Sequence, residues 1–461
     1  MAKSRWLGRL TAAVLVLMAL VLVGGWTAAA RAEDVHWPQF RGADARGIAS
    51  GTNLPDRWTE TENVAWKRDI PGRGWSSPVV WGNRVFLTTV VNTGESEEAR
   101  KGLYFGGDRP LPPDAVHNWI VLCLDLQSGE VVWERQVHSG KPESSIHLKS
   151  SFASETPVTD GERVYCYFGN LGMFCFDFAG KEVWQRKFPS QPTRYGWGTA
   201  ASPTLDGDRL YLVNDNEQDS YLLALDKRTG EEIWRVPRDE KSNWSTPFVW
   251  HNALRTEIVT PGTGLVRSYD TDGQLLWTLA GMSSITIATP YADDELLYIS
   301  SGYVMDSKRP IYAIRPGASG DISLLADATA NDFIVWSLPK SAPYNPSTLV
   351  YDRRLYVLSD RGLVAAFDAR DGRELYVNQR LPDGRAFTSS PWAYDGKLFC
   401  LNEDGATYVL KAGDEFELLH TNTLAADDMG MATPAIAGDS LLLRTAARLY
   451  CIRKAEPTRG E

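Results

Sequence analysis

Runs of three to six mostly apolar residues, broken by Asp, Asn and Gly, recur along almost the whole chain. Leu210-Tyr211-Leu212-Val213, Tyr221-Leu222-Leu223-Ala224-Leu225 and Glu232-Ile233-Trp234-Arg235-Val236 are one such set. Runs this short, rich in β-branched and aromatic residues and bounded by turn residues, predict β-strands. The sharpest recurring unit is the end of one strand, an Asp-led turn closed by Gly, and an aromatic at the start of the next strand. It occurs with Asp125, Gly129 and Trp133; with Asp226, Gly230 and Trp234; and, ending on Tyr376, with Asp368 and Gly372. It occurs one residue shorter with Asp177, Gly180 and Trp184, and with Asp270, Gly273 and Trp277. Glycine supplies the positive φ a tight hairpin needs. The Asp carboxylate accepts bonds from amides ahead of it in the turn. The indole supplies a broad apolar plate to set between neighbouring sheets. These turn residues are structural, because one chemistry is not needed at five places around a repeat.

Each unit opens on small residues ending in or next to Pro: Ser76-Ser77-Pro78 first, then Pro157, Pro203, Pro247, Pro290, Pro346, Pro391 and, last, Thr433-Pro434. The interval is about 45 residues in most units and holds four short strands, the signature of a propeller blade. Seven units run to an aromatic strand. The eighth ends one strand short at Leu449-Tyr450-Cys451-Ile452, and Asn63-Val64-Ala65-Trp66-Lys67 is a lone aromatic strand at the other end of the chain. Pairing the two closes a ring and removes its open edges. The prediction is therefore an all-β, eight-bladed propeller over residues 63–455, four antiparallel strands per blade, completed by an N-terminal strand. Residues 33–62 form an arm expected to wrap over the surface, and 456–461 a tail. The first blade carries an insertion at 92–118 and the fifth a long loop at 316–332. In a propeller the 92–118 loop shares a face with residues 138–149 and 300–309, which is the expected functional face.

Composition adds less. Charged residues make up 23% of the chain and hydrophobic ones 43%, with a net charge of −10. An acidic chain without basic clusters is not a nucleic-acid binder. Lys3, Arg5 and Arg9, the apolar stretch from Leu10 to Val23 and Ala30-Arg31-Ala32 read as a cleavable export signal over residues 1–32. An uncleaved membrane anchor is the other reading of that stretch. A periplasmic or envelope protein follows, a monomer, touching membrane only if the signal is retained. The five cysteines fill small core positions of the repeat. Cys166 and Cys175 flank a hairpin turn and would face each other, so an oxidising compartment could join them.

The Asp-to-Trp turn resembles the tryptophan-docking motif of pyrroloquinoline quinone (PQQ) repeat propellers, over nearly the whole chain after residue 32. Trp37-Pro38-Gln39-Phe40-Arg41-Gly42 resembles the entry motif of exported bacterial proteins of that superfamily. The resemblance implies one of two roles: a quinoprotein dehydrogenase with PQQ and Ca²⁺, or a BamB-like scaffold with no cofactor and a protein partner. No adjacent cysteine pair, no Cys-x-x-Cys-His and no lipobox cysteine is present.

First-strand starts line a propeller channel. Glu155, Asn345 and Asp428 lie there and carry oxygens suited to Ca²⁺. Trp75, Trp197 and Trp244 lie there as well and could stack on a quinone or a sugar. His138, His147 and Lys149 share one inter-blade loop without zinc spacing. With no catalytic constellation, the expected function is an exported, non-catalytic scaffold for an envelope protein or polysaccharide, with no cofactor. The alternative is a PQQ- and Ca²⁺-dependent alcohol or sugar dehydrogenase.

Overall fold

A computed structural model describes residues 36–455 apart from 52, 96 and 294. The export signal and the tail lie outside the described residues. The strands form eight antiparallel sheets, one per blade, and the only helical turn among the described residues is Arg194–Gly196. Blade 1 is Val79–Trp81, Arg84–Asn92, His117–Asp125 and Val131–Gly140, from channel to rim. Blade 8 is Ala435–Ala437, Ser440–Arg444 and Arg448–Ile452, with Val64–Asp69 as its outer strand. Trp66 pairs with Cys451, and its indole reaches into blade 1 to donate to Leu126 O at 2.9 Å. The ring is thus closed by the two ends of the chain.

The turn motif works between blades. Asp125 Oδ1 accepts from Gln127 N and Ser128 N, each at 3.0 Å, which holds the turn. The Trp133 indole donates to Phe178 O in the next blade and lies against Gly180. Trp184 meets Gly230, Trp234 meets Gly273, Trp336 meets Gly372 and Trp66 meets Gly129 in the same way. Glycine is required here twice over. Gly230 has φ +73°, and a Cβ there would stand 2.5 Å from Trp184 Cε3. Gly230→Ala is expected to lower stability by about 2–4 kcal/mol through left-handed strain and a displaced indole, read as a shift in urea midpoint. Trp277 departs from the series. Blade 5 has no Asp-Gly turn, and its long loop instead adds a strand, Gly320–Asp321, beside Trp277 and Thr278. The Trp277 indole turns inward to Glu257 Oε2 at 2.7 Å.

Two expectations are corrected. The N-terminal arm is expected to wrap over the surface; it starts inside the channel and reaches the outermost strand of blade 7 only at its end, where Trp58 N donates to Asn422 Oδ1 at 3.1 Å. His36–Trp37 pairs with Val80 and Trp81 as a fifth, innermost strand of blade 1. The arm then crosses the end of the channel. Thr159 N donates to Pro38 O in blade 2, and Arg41 Nη2 donates to Thr348 O in blade 6. Ala393 N donates to Gly47 O in blade 7, and Trp58 packs on Phe399. Trp37, Arg41, Leu54 and Trp58 are buried. Blade 1 offers an unpaired inner strand edge at Val80 and Trp81, which His36–Trp37 satisfies, and Trp37 and Trp58 leave water as the arm packs. Cys166 and Cys175 are also misplaced by the facing-pair expectation. Tyr165 pairs with Cys175, so Cys166 stands one step along, opposite Phe174. Side chains alternate between faces. Cys166 accordingly packs towards blade 1 with Phe86, Cys175 towards blade 3 with Trp184, and both are free thiols.

Candidate functional site

The end of the channel opposite the arm opens into a chamber of about 480 Å³, floored by Phe40 of the arm. Its wall is built from the small-residue openings of the blades. One hydroxyl per blade lies at this level, and each is buried. Ser77 N donates to Thr156 Oγ1, Thr156 N to Ser202 Oγ and Ser202 N to Thr246 Oγ1, at 2.9–3.1 Å. Thr289 N donates to Ser347 Oγ, Ser347 N to Ser390 Oγ and Ser390 N to Thr433 Oγ1, each at 3.0 Å. These bonds stitch adjacent blades into a belt. Ser77 Oγ, at the seam between blades 8 and 1, is buried without a hydrogen-bond partner.

Above the belt stand Trp75, Trp197 and Trp244, all lining the chamber. Their indole N–H groups donate to Lys149 O at 2.7 Å, Gly107 O at 3.1 Å and Gly198 O at 2.8 Å. The rings therefore offer carbon surface and no free donor. The blade 1 insertion folds over the mouth as a lid on the expected face. Leu103, Tyr104 and Phe105 line the chamber, facing Tyr303 and Met305 of blade 5.

Two anchors hold the lid. Glu403, fully buried, pairs with Lys149 Nζ and accepts from Gly102 N at 2.8 Å and from Thr388 Oγ1 at 2.8 Å. Lys149 Nζ also donates to Gly102 O at 2.8 Å. At the second anchor, His147 Nδ1 accepts from Lys149 N, and Nε2 lies 2.9 Å from Phe105 O. Burial and the nearby Lys149 and Arg109 charges push its pKa down, which keeps the ring neutral for both bonds. Sequence alone could not pair Lys149 with Glu403, because only ring geometry brings blades 2 and 7 together. His138 lies beside a separate small cavity with Trp119 and Lys187.

The three oxygen candidates are not brought together. Asn345 lines the chamber, and its Nδ2 donates to Asp360 Oδ1 at 2.7 Å. Glu155 is buried behind the wall, accepting from Thr199 Oγ1 at 2.6 Å and Gly169 N at 3.1 Å. Asp428 binds Arg448 Nη1 at 3.1 Å and Met429 N at 3.1 Å. They share no partner, and among the described residues no three His, Cys, Asp or Glu are placed to hold a metal. The chamber carboxylate Asp360 is spent on Tyr344 N, Asn345 N and Asn345 Nδ2. A Ca²⁺ site needs six to eight converging oxygens, and the residues present do not supply them.

Burial raises the Glu155 pKa to about 7. An acid whose pKa is raised on folding stabilises least when ionised. Its contribution is intact below the unfolded value near 4.5 and is lost as pH rises through 7. Glu155→Gln is expected to match the parent near pH 4.5 and to be more stable at pH 8 by roughly 2–3 kcal/mol, measured by urea unfolding at both pH values.

The repeat, the docked indoles and the closed ring define a PQQ-like repeat propeller. The chain belongs to the family described as outer membrane protein assembly factor BamB, whose model matches residues 115–236 and 262–458. BamB of Alkalilimnicola ehrlichii is 30% identical over 178 residues, 38% of this chain and 36% of that protein. BamB of Moranella endobia is 20% identical over 259 residues, 52% of this chain and 62% of its own length. The match thus spans between about a third and under two thirds of these relatives. The crystal structure of BamB from Moraxella catarrhalis superposes with TM-score 0.52 at 14% identity, over 80% of this chain and 99% of that one. The quinohemoprotein alcohol dehydrogenase of Comamonas testosteroni gives 0.55 at 12%, over 94% and 83%. These two likenesses are of fold alone.

Proposed function

We propose that this protein is a non-catalytic scaffold of the cell envelope, exported by its N-terminal signal, that docks another envelope protein on the lidded face. One observation carries the reading: Leu103, Phe105, Val304 and Met305 line the mouth and present apolar surface to solvent, Met305 by nearly four-fifths, and Leu111 of the same blade 1 insertion is as exposed. Exposed apolar groups gathered at one place mark interaction surfaces. The BamB names of its relatives agree with an envelope protein partner. A photo-crosslinking residue at Met305 and at Leu111, tested in envelope extract, should give one discrete adduct. The same probe at Leu254, exposed elsewhere, should not. Adducts of equal yield at all three positions would refute the docking face.

The three indoles favour a second reading, a PQQ- and Ca²⁺-dependent alcohol or sugar dehydrogenase. It lacks a chamber carboxylate free to act as ligand or base. Calorimetric titration with PQQ and Ca²⁺ separates the two: saturable binding at one site supports the dehydrogenase, and no heat at micromolar quinone supports the scaffold.

A further inference from the structure

We infer that the chamber is a carbohydrate site that takes one neutral pyranose ring, free or as the end of a glycan. The chemistry of its wall selects that ligand. The charged groups at its edge are consumed, Lys149 by Glu403 and Asp360 by Asn345. Arg361 alone lines it without a carboxylate, and it stands in solvent. An ionic ligand therefore meets no buried counter-charge and would have to shed its water without return.

What the wall offers is hydroxyl and indole. Six hydroxyls of the belt accept one amide each and retain an O–H and a second lone pair. Ser77 Oγ retains all of its capacity, while only 1% of the residue is exposed. These hydroxyls are only 1–7% exposed, so a ligand that brings donors and acceptors meets capacity that is otherwise unmet, and a purely apolar one does not. A sugar ring carries both donors and acceptors around its edge and a C–H face that stacks on aromatic carbon. Of the three indoles, all with their N–H groups bonded, Trp244 presents such carbon most openly, while Trp75 and Trp197 are 7% and 8% exposed. A cavity of about 480 Å³ lies within the range of small-ligand pockets, and it leaves room for a second ring towards the exposed Leu103 and Met305.

The inference is independent of protein docking at the rim, and neither test above decides it. The probes are methyl glucoside, N-acetylglucosamine and maltotetraose, titrated into the mature protein by calorimetry and by saturation-transfer NMR. One-site binding is expected for at least one of them. Trp244→Phe should weaken it about tenfold. Ser77→Ala, which removes an oxygen that bonds to nothing in the protein, should weaken it about threefold and leave the melting temperature unchanged. Tighter binding of the tetrasaccharide assigns the site to a glycan end, and equal or weaker binding assigns it to a free sugar. No saturable heat up to about 10 mM of any probe, or binding that both variants leave untouched, overturns the inference.

Discussion

A chain beginning at Ile70 is expected to aggregate rather than fold. It lacks Val64–Asp69, so the Arg448–Ile452 strand is left as an open edge. It also lacks Trp37, Leu54 and Trp58, buried to 2–4% exposure against blades 1, 7 and 8. Large-to-small truncation at one such site costs about 3–5 kcal/mol. Removing three together with a paired strand exceeds the whole margin of about 5–15 kcal/mol on which a domain rests. Size exclusion and urea unfolding of the shortened chain would show it. A monomer with one cooperative transition near that of the full protein would mean that the arm is ornament to a ring already closed by its other contacts. Trp58→Ala alone should fold, with a midpoint lowered by about 3–5 kcal/mol, and separates loss of packing from loss of closure.

Arg238→Met is expected to cost about 3–5 kcal/mol near neutral pH. Both members of the Arg238–Asp215 pair are fully buried, joined by two bonds of 2.8 and 2.9 Å. Arg238 also holds Thr260 Oγ1 at 2.5 Å. Removing the guanidinium strands a carboxylate whose pKa burial already raises against the pull of Arg238. Without that pull the pKa climbs further. The folded variant then prefers protonated Asp215, so its stability falls as pH rises through the new value and recovers on acidification. The gap to the parent should therefore be wide at pH 8 and narrower at pH 5 in urea titrations. Arg238→Met with Asp215→Leu should recover most of the loss, since an apolar pair of similar volume commonly replaces a buried ion pair. A gap that stays constant with pH would place the cost in packing.

The blades were legible because their signals are local. The Asp-to-Gly turn, its indole and the opening Pro all fall within a dozen residues, and the incomplete eighth unit pointed to Val64–Asp69 as its missing strand. The arm was not legible, because its bonds pass from blades 1 and 2 to blade 6 and then repeatedly to blade 7, and no period survives in 36–58. The Cys166–Cys175 expectation failed by a single register step, which alternation turns into opposite faces. In the chamber, Trp75, Trp197, Trp244 and Asn345 were placed by counting from the Pro markers. Lys149 and Glu403 were not paired, since they approach only once the ring exists.

The closure also has a consequence for time. Synthesis yields Val64–Asp69 well before its partner Arg448–Ile452, with all the other blades made in between. Until Arg448–Ile452 has been made, the opening strand has no template and the growing array has a raw edge at each end. Contacts between chain ends also form slowly. The incomplete ring is therefore its own most dangerous neighbour, and a cell making it in quantity must shelter the chain until Arg448–Ile452 can meet Val64–Asp69.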